Sequence, residues 1–474
     1  MAESIEEIIQ NRPTEPGRSP RYWIKTYGCQ MNVHDSEKYA GILSEMGYVP
    51  ADAPEDADVV LVNTCSVRER AEDKLFSELG RLRILKEQRA QGEQSGPTEL
   101  LVGVTGCIAQ QRGDGIVDKQ PAVDFVIGTR AIQTLPDVLE DVRKTGQPCV
   151  NTADLVDFES NGASRQDAVR AFVTIMEGCN NYCSFCIVPA TRGMEVYRPA
   201  DDIIDEIRGL GLRGFREVTL LGQNVNSWVD PATGMGFPGL LEAIDESIAR
   251  TEAADGERRI ERVRFLTSHP KDLSPRLIEV MASASHVAKH LHLPVQSGSD
   301  QILHNMNRHY TATSYLAQVE ALRAAVPGVG LSTDLIVGFP GETDADFEAT
   351  LELVRAVEYD SFYSFEYSPR PDTAAVTQYE DDVPDELKRT RLIELQKTGQ
   401  YIQAQRNAAW VGKSTEVLVD SVSKRSERDV SGRTSSNHIV NMSGDQALIG
   451  HLVDVEITAH AAHSMYGQIV GEPR

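Results

Sequence analysis

Hydrophobic positions between residues 21 and 150 come in short continuous runs, not in alternation. Tyr22-Trp23-Ile24-Lys25-Thr26, Val59-Val60-Leu61-Val62-Asn63, Leu100-Leu101-Val102-Gly103-Val104 and Phe125-Val126-Ile127 read as strands buried on both faces. Helical patterns over 35–46, 66–90 and 130–144 lie between them. Continuous apolar strands joined by helices predict a Rossmann-like parallel sheet with helices on both sides. The stretch 91–98, QGEQSGPT, reads as an exposed loop. Residues 1–20 carry no long apolar face and read as a frayed, disordered tail.

The same texture resumes further on. Strand candidates at Ala171–Met176, Glu217–Leu221, Val263–Thr267, His290–Val295, Gly330–Val337 and Phe362–Tyr367 are followed by helical stretches at 200–212, 237–249, 274–284, 311–325 and 342–357. Six repeated strand–helix units predict a partial TIM-like (β/α)6 barrel, open on one side. A long helix is expected over 384–408, with Pro384 in its first turn and Asp385 and Glu386 at its positive end. After Trp410 the pattern changes to short strands at Val417–Val419, His438–Met442, Val453–Thr458 and Gly467–Val470, split by polar turns. That predicts a small β-barrel. The expected divisions are a tail at 1–20, then domains at 21–150, 165–400 and 405–474.

Composition narrows the function classes. The 474 residues carry a formal charge of −24, which argues against a generally basic nucleic-acid surface and leaves room only for a local one. Lys424, Arg425, Arg428 and Arg433 cluster in the last region and could be such a patch or ordinary solvated surface. No apolar run is long enough for a membrane span, and the acidic N-terminus does not read as a signal peptide. Seven cysteines in such a chain suggest a reducing, cytoplasmic setting, with thiols held for metal or catalysis.

Three of them form the most telling motif. Cys179, Cys183 and Cys186 make a Cys-x3-Cys-x2-Cys run in Gly178-Cys179-Asn180-Asn181-Tyr182-Cys183-Ser184-Phe185-Cys186. Three thiolates this close can converge on one soft metal centre. A four-iron cluster on three cysteines leaves one iron open to a ligand. Zinc with a distant fourth ligand is the competing reading, although no second Cys-x2-Cys pair exists in the chain. Cys29, Cys65 and Cys107 share a different regularity, since each directly follows a strand candidate. In a parallel sheet all three would lie at the carboxyl edge, where open α/β folds build ligand sites. They could hold a second open-iron cluster or be three buried structural thiols. Cys149 lacks that address and reads as a bystander.

The Cys-x3-Cys-x2-Cys run resembles the radical S-adenosylmethionine (SAM) enzymes. Tyr27-Gly28-Cys29-Gln30-Met31-Asn32, Asn63-Thr64-Cys65-Ser66-Val67-Arg68 and Gly106-Cys107 resemble the N-terminal domain of the methylthiotransferases. Leu221-Gly222-Gln223-Asn224-Val225-Asn226-Ser227-Trp228, Ser268-His269-Pro270, Leu293 to Ser299 and Thr333 to Glu342 resemble the tRNA 2-methylthio-N6-dimethylallyladenosine synthases, the MiaB family. The last domain resembles a TRAM module, a small RNA-contacting β-barrel. Sister methylthiotransferases, acting on threonylcarbamoyl-adenosine or on a ribosomal-protein aspartate, share the cysteines. The Asn63–Arg68 and Leu221–Trp228 strings favour the first group.

The resemblance implies two 4Fe-4S clusters, one on Cys179, Cys183 and Cys186 and one on Cys29, Cys65 and Cys107. SAM would serve twice, once as radical source and once as methyl donor. A methylthio group would replace hydrogen at C2 of N6-isopentenyladenosine, position 37 in the tRNA anticodon loop. Phe185 would lie near the adenine of SAM. Gly222, Gln223, Asn224, Ser297, Thr333, Asp334 and Gly338 would line the SAM cleft at strand ends. His269 and His292 are candidate pocket walls or satisfied core residues; Arg192, Arg198 and Arg370 could hold a SAM carboxylate or RNA phosphate, or form ion pairs. A flavodoxin or ferredoxin as electron donor, a sulfur source for the second cluster and a monomeric enzyme are expected. Removing the chain after residue 411 is expected to weaken tRNA binding without erasing SAM cleavage.

Overall fold

The computed structural model describes residues 18–66, 69–92, 99–155, 158, 163–165, 167–255, 260–423, 426 and 428–474. Most of the expected tail, most of the 91–98 loop, and Val67, Arg68, Lys424 and Arg425 lie outside the described residues. Two compact units form. One is the chain before Asp167 together with Ile187–Val196; the other is Asp167–Cys186 with Tyr197–Arg474. The short segment Ile187–Val196, expected within the barrel domain, therefore belongs to the N-terminal unit.

The first unit is a six-stranded, all-parallel sheet in the order β2-β1-β3-β4-β5-β6. Its strands are β1 Arg21–Tyr27, β2 Val49–Pro50, β3 Val59–Thr64, β4 Leu101–Thr105, β5 Phe125–Ile127 and β6 Cys149–Asn151. Every residue of β3, β4 and β5 is buried. Alternation along β3 sends Val59 and Leu61 to one apolar layer, with Leu43, Leu135 and Leu139, and Val60 and Val62 to the other, with Leu75, Leu79 and Leu82. Burial on both faces is what the continuous apolar runs encode. The edge strands β2 and β6 are too short and too mixed to leave a pattern. The helix expected from residue 35 starts earlier, at Gln30, with Cys29 in the N-cap position. A thiol is not among the usual capping side chains, so the start carried no signal.

The second unit begins with β7 Arg170–Thr174 and the two-residue β8 Met176–Glu177; β9 is Val196–Tyr197 at the junction between units. Its core strands are β7, β10 Glu217–Leu221, β11 Arg262–Phe265, β12 His290–His292, β13 Gly330–Val337 and β14 Ser361–Glu366. They pair in parallel as β11-β10-β7 and β12-β13-β14. A parallel bridge between Val263 and Val287, just ahead of β12, carries the arc from one run to the other. This is the expected open (β/α)6 arrangement. Helix Asp385–Ala408 seals β14 at Gly399, where an added Cβ would sit 1.7 Å from the Phe362 ring.

A closed five-stranded barrel follows, in the order β15-β16-β17-β19-β18. Its strands are β15 Ser414–Val422, β16 Asp429–Thr434, β17 Ile439–Ser443, β18 Leu452–His460 and β19 Met465–Ile469. Its core is Val417, Val419, Val430, Val440, Met442, Val453, Val455, Ile457 and Met465. The β16–β17 turn packs under the amino ends of the large barrel's strands. Arg264 donates to Thr434 O at 2.7 Å, to Ser435 O at 3.0 Å and to the Glu217 carboxylate at 2.8 Å. Lys289 N donates to Ser435 Oγ at 2.9 Å. Gly330 leaves room for the turn, since a Cβ there would meet Ser436 O at 2.1 Å. His438 faces Asp360 at 3.4 Å.

Candidate functional site

In the N-terminal unit β1, β3 and β4 are adjacent, so the residues following them share one edge. Cys29 caps the helix after β1, Cys65 follows β3, and Cys107 opens the helix after β4. Cys65 N donates to Tyr27 O at 3.0 Å, which fixes the second thiol beside the first. Two buried asparagines lock this edge. Asn32 Oδ1 accepts from Cys29 N at 3.3 Å and from its Sγ at 3.4 Å. Asn32 and Asn63 then exchange two bonds, Asn32 Nδ2 to Asn63 Oδ1 at 3.0 Å and Asn63 Nδ2 to Asn32 O at 2.9 Å. Gly106, at φ +88°, brings the backbone against this pair: a Cβ there would meet Asn63 Oδ1 at 2.3 Å and Thr64 O at 2.7 Å. Only glycine tolerates both the angle and the approach.

The three thiols form a hydrogen-bonded row with Cys65 in the middle. Donation from Cys65 pulls the Cys29 thiol down to about 6 and the Cys107 thiol down to about 7, while its place between two thiolates pushes Cys65 up. The Arg192 guanidinium lowers both outer thiols further. Arg192 is buried and paired with Asp35 at 2.5 Å, inside the same unit. Thr64 Oγ1 and Ser66 Oγ, flanking the row, are buried without hydrogen-bond partners among the described residues. Among those residues no three His, Cys, Asp or Glu side chains close on one ion-sized point. The site offers soft, partly ionised sulfurs with uncommitted hydroxyls beside them, a donor set that fits an iron–sulfur cluster. Cys149, on β6, lies half-buried against the apolar core, and burial pushes its thiol up.

In the second unit the Cys179–Cys186 loop follows β8, at the carboxyl-end mouth of the barrel. Gly178 N donates to Gln223 Oε1 at 2.5 Å, so the second residue after β10 holds the entry to the loop. The far side is pinned by 305–310: Ser184 N donates to Met306 O at 3.0 Å, Ser184 Oγ to Asn305 O at 2.8 Å, and Asn307 Nδ2 to Tyr182 O at 2.9 Å. Cys183 is buried; Cys179 and Cys186 are part-exposed. Arg308 Nη1 donates to Cys183 Sγ at 3.1 Å. His269 Nε2 stands 3.9 Å from the same sulfur. Its Nδ1 accepts from Lys271 N at 3.2 Å, so the ring proton sits on Nε2 and points at sulfur. Burial, then the Arg308 charge, pushes this imidazole down to about 2, so it is neutral at any working pH.

The residues expected along the SAM cleft divide into two groups. Asn224 donates to Asp272 at 2.8 Å, while its Oδ1 is buried without a partner, as are Ser268 Oγ after β11 and Thr174 Oγ1 at the end of β7. Three uncommitted polar atoms, one acceptor and two hydroxyls, at one end of the barrel fit a polar ligand such as SAM. Phe185 packs beside Ile302, Met306 and Phe339, next to Gly338, which donates to Glu342 Oε1 at 2.8 Å. Gly338 has φ +71°, and a Cβ there would strike Lys388 Cγ at 2.3 Å. Gly222 is needed for packing on Met176, 2.4 Å from its would-be Cβ. Thr333 spends its hydroxyl on Leu293 O and Val295 N, and Ser297 faces Thr350 at 3.3 Å and accepts from Ser299 N; both stabilise the barrel wall. Asp334 faces His292 at 3.6 Å.

Arg192 and Arg198 are ion-paired within the protein, Arg198 to Glu206, so their cations are already answered. Arg308, Asn32, Asn63 and Asp35 received no role from sequence. The available signal was Arg308 itself, a cation in Met306-Asn307-Arg308-His309-Tyr310 with no acidic residue within five positions.

Comparison with known proteins gives the chain three domain families and a set of named relatives. The model of the Uncharacterized protein family UPF0004 covers residues 21–128, that of the Radical SAM superfamily 173–354, and that of the TRAM domain 409–470. A tRNA-2-methylthio-N(6)-dimethylallyladenosine synthase of Alkalilimnicola ehrlichii is 44% identical over 95% of this chain and 98% of its own length. Synthases of the same name from Syntrophus aciditrophicus and Geobacter sulfurreducens are each 45% identical, over 95% and 94% of this chain and 94% and 97% of their own lengths.

The chain belongs to the tRNA-2-methylthio-N(6)-dimethylallyladenosine synthase family.

Among solved structures, the radical SAM methyltransferase TsrM from Kitasatospora setae superposes with a TM-score of 0.54 at 14% identity, covering 76% of this chain and 77% of that one. The cobalamin-dependent radical SAM enzyme OxsB gives 0.52 at 12% identity, covering 81% of this chain and 56% of that one. At such identity the likeness concerns the fold. No helix among the described residues is long and apolar enough to cross a membrane.

Proposed function

We propose that the protein adds a methylthio group to C2 of N6-dimethylallyladenosine at position 37 of tRNA. The observation that carries this reading is the doubled thiol trio: a Cys-x3-Cys-x2-Cys loop at the mouth of an open six-stranded barrel, and a second trio on adjacent strand ends of a separate sheet. When bound, a 4Fe-4S cluster on Cys179, Cys183 and Cys186 supplies the electron that splits the sulfonium of SAM, and one on Cys29, Cys65 and Cys107 supplies sulfur.

The protein's own residues do the positioning. A ring C–H at C2 has no useful acidity, so no side-chain base is asked to remove it. The task is to hold reactants in register and keep water away. Gln223 and the 305–310 segment fix the cysteine loop from opposite sides. Asn224, Ser268 and Thr174 present uncommitted polar atoms to SAM, and Phe185 gives its adenine an apolar wall. The neutral His269 donates toward sulfur without adding charge. We take the TRAM barrel as a contact for the anticodon loop, whose unpaired base can be splayed into a pocket. A flavodoxin- or ferredoxin-class electron donor, a separate sulfur source and a cytoplasmic monomer complete the reading.

A division of labour tests it. With Cys29, Cys65 and Cys107 replaced by alanine, the anaerobic protein given SAM, reductant and dimethylallylated tRNA is expected to form 5′-deoxyadenosine and no methylthio nucleoside. Methylthio product from that variant would sink the assignment of the second trio.

A further inference from the structure

We propose that Arg308 is a positioning residue that eases one-electron reduction at the Cys179/Cys183/Cys186 site by holding a permanent positive charge against the Cys183 sulfur. The inference rests on the proposed reading of that loop as a cluster site, and it goes beyond it in assigning a function to a residue outside the cysteine motif.

Arg308 is 4% exposed, and its three nitrogens are each committed. Nη1 reaches Cys183 Sγ at 3.1 Å, Nη2 reaches Pro294 O at 2.7 Å, and Nε reaches Tyr310 OH at 2.9 Å. Tyr310 OH is itself anchored, donating to Val295 O at 2.8 Å, and the guanidinium lies 5.3 Å from the centre of the Tyr310 ring. The planar fork is thus fixed by a carbonyl and a phenol, and its remaining nitrogen, Nη1, is aimed at sulfur.

The missing counter-charge makes the arrangement informative. The other deeply buried arginines of this chain meet carboxylates: Arg192 meets Asp35, Arg198 meets Glu206, Arg264 meets Glu217 and Arg391 meets Glu342. Among the described residues Arg308 meets none; its Nη1 is aimed at the Cys183 sulfur instead. A buried cation is costly unless paired. An anionic thiolate-bound cluster provides the pairing, and adding an electron there deepens it. Charged hydrogen bonds to ligand sulfur are an established lever on cluster potential. Guanidinium cannot give up its proton, so the effect is the same across the working pH range.

The test uses the full chain with Cys29, Cys65 and Cys107 replaced by alanine, so that one cluster remains, reconstituted anaerobically. Iron per chain and the midpoint potential are measured, the latter by an electron-paramagnetic-resonance titration without SAM, for the parent, Arg308→Gln and Arg308→Lys. Arg308→Gln is expected to keep about four irons and to weaken reduction about tenfold, a midpoint about 59 mV more negative for one electron. Arg308→Lys keeps the charge but loses the fixed fork, and is expected to shift the same way by a smaller factor. If the Gln variant takes up no iron, the Lys variant decides alone. Midpoints equal to the parent's in the iron-bearing variants would overturn the role of Arg308. A parent that binds no iron would overturn the reading of the loop as well, so the two failures are told apart.

Discussion

Alanine at Cys179, Cys183 and Cys186 together is expected to halve the iron content, from about eight to about four per chain, and to abolish formation of 5′-deoxyadenosine. The loop offers no substitute ligand of comparable softness: the side chains in contact with Cys183 Sγ are Arg308, which cannot bind metal, and His269, whose Nε2 carries the ring proton because Nδ1 accepts from Lys271 N. The remaining four irons sit on the N-terminal sheet, where the Asn32–Asn63 lock and the Asp35–Arg192 pair stay whole. Iron analysis with anaerobic visible spectroscopy reads the first effect, and chromatography of the SAM products reads the second. Deoxyadenosine from the triple variant would show that the radical site lies elsewhere.

Removing the chain after Val411 is expected to lower the stability of the large barrel sharply and to reduce SAM cleavage with it. The sequence suggests a separable module: the pattern changes after Trp410 and a small barrel follows. The structure changes that expectation. Arg262, Arg264, Glu217, Asp360 and Gly330 at the amino ends of the large barrel's strands are covered by the turn from Arg433 to His438. Truncation uncovers buried charges and strands the Arg264–Glu217 pair without its carbonyl partners. Arg264→Ala isolates part of the effect. It leaves the buried Glu217 carboxylate without its 2.8 Å partner, a loss of about 3–5 kcal/mol. At roughly 2–4 °C per kcal/mol, the melting temperature falls by about 10 °C. Thermal unfolding with and without the C-terminal barrel checks this. An unchanged melting transition for the remaining chain would show that the turn does not support the barrel.

Much of this was legible in the chain, for reasons that can be named. Strands such as Val59–Thr64 and Gly330–Val337 are buried on both faces, so their apolar runs announce them. The cysteine trios were visible because spacing in one case, and position after a strand in the other, are properties of sequence. The sheet order β1-β3-β4 then makes the second trio adjacent. Strand β16, Asp-Val-Ser-Gly-Arg-Thr, was not visible, because its outward positions are polar and Gly432 is there to admit Leu418 O at 2.2 Å from its would-be Cβ. For Arg308 the absence of a nearby acidic residue was the one local sign; its partner, a sulfur 125 positions away, is a contact that no local pattern encodes. For Arg192 the sequence left a phosphate or carboxylate ligand and an ion pair both open for the same reason: Asp35, its partner, lies 157 positions earlier. Ser297 and Thr333 sit where a cleft was expected, yet their hydroxyls face the wall, a choice made by side-chain packing.

The most direct measurement is nucleoside mass spectrometry of tRNA from cells with this protein and from otherwise identical cells without it. The account predicts 2-methylthio-N6-dimethylallyladenosine in the first and only its unthiolated precursor in the second. The same amount of the methylthio nucleoside in both, or a methylthio group found on threonylcarbamoyl-adenosine instead, would contradict it.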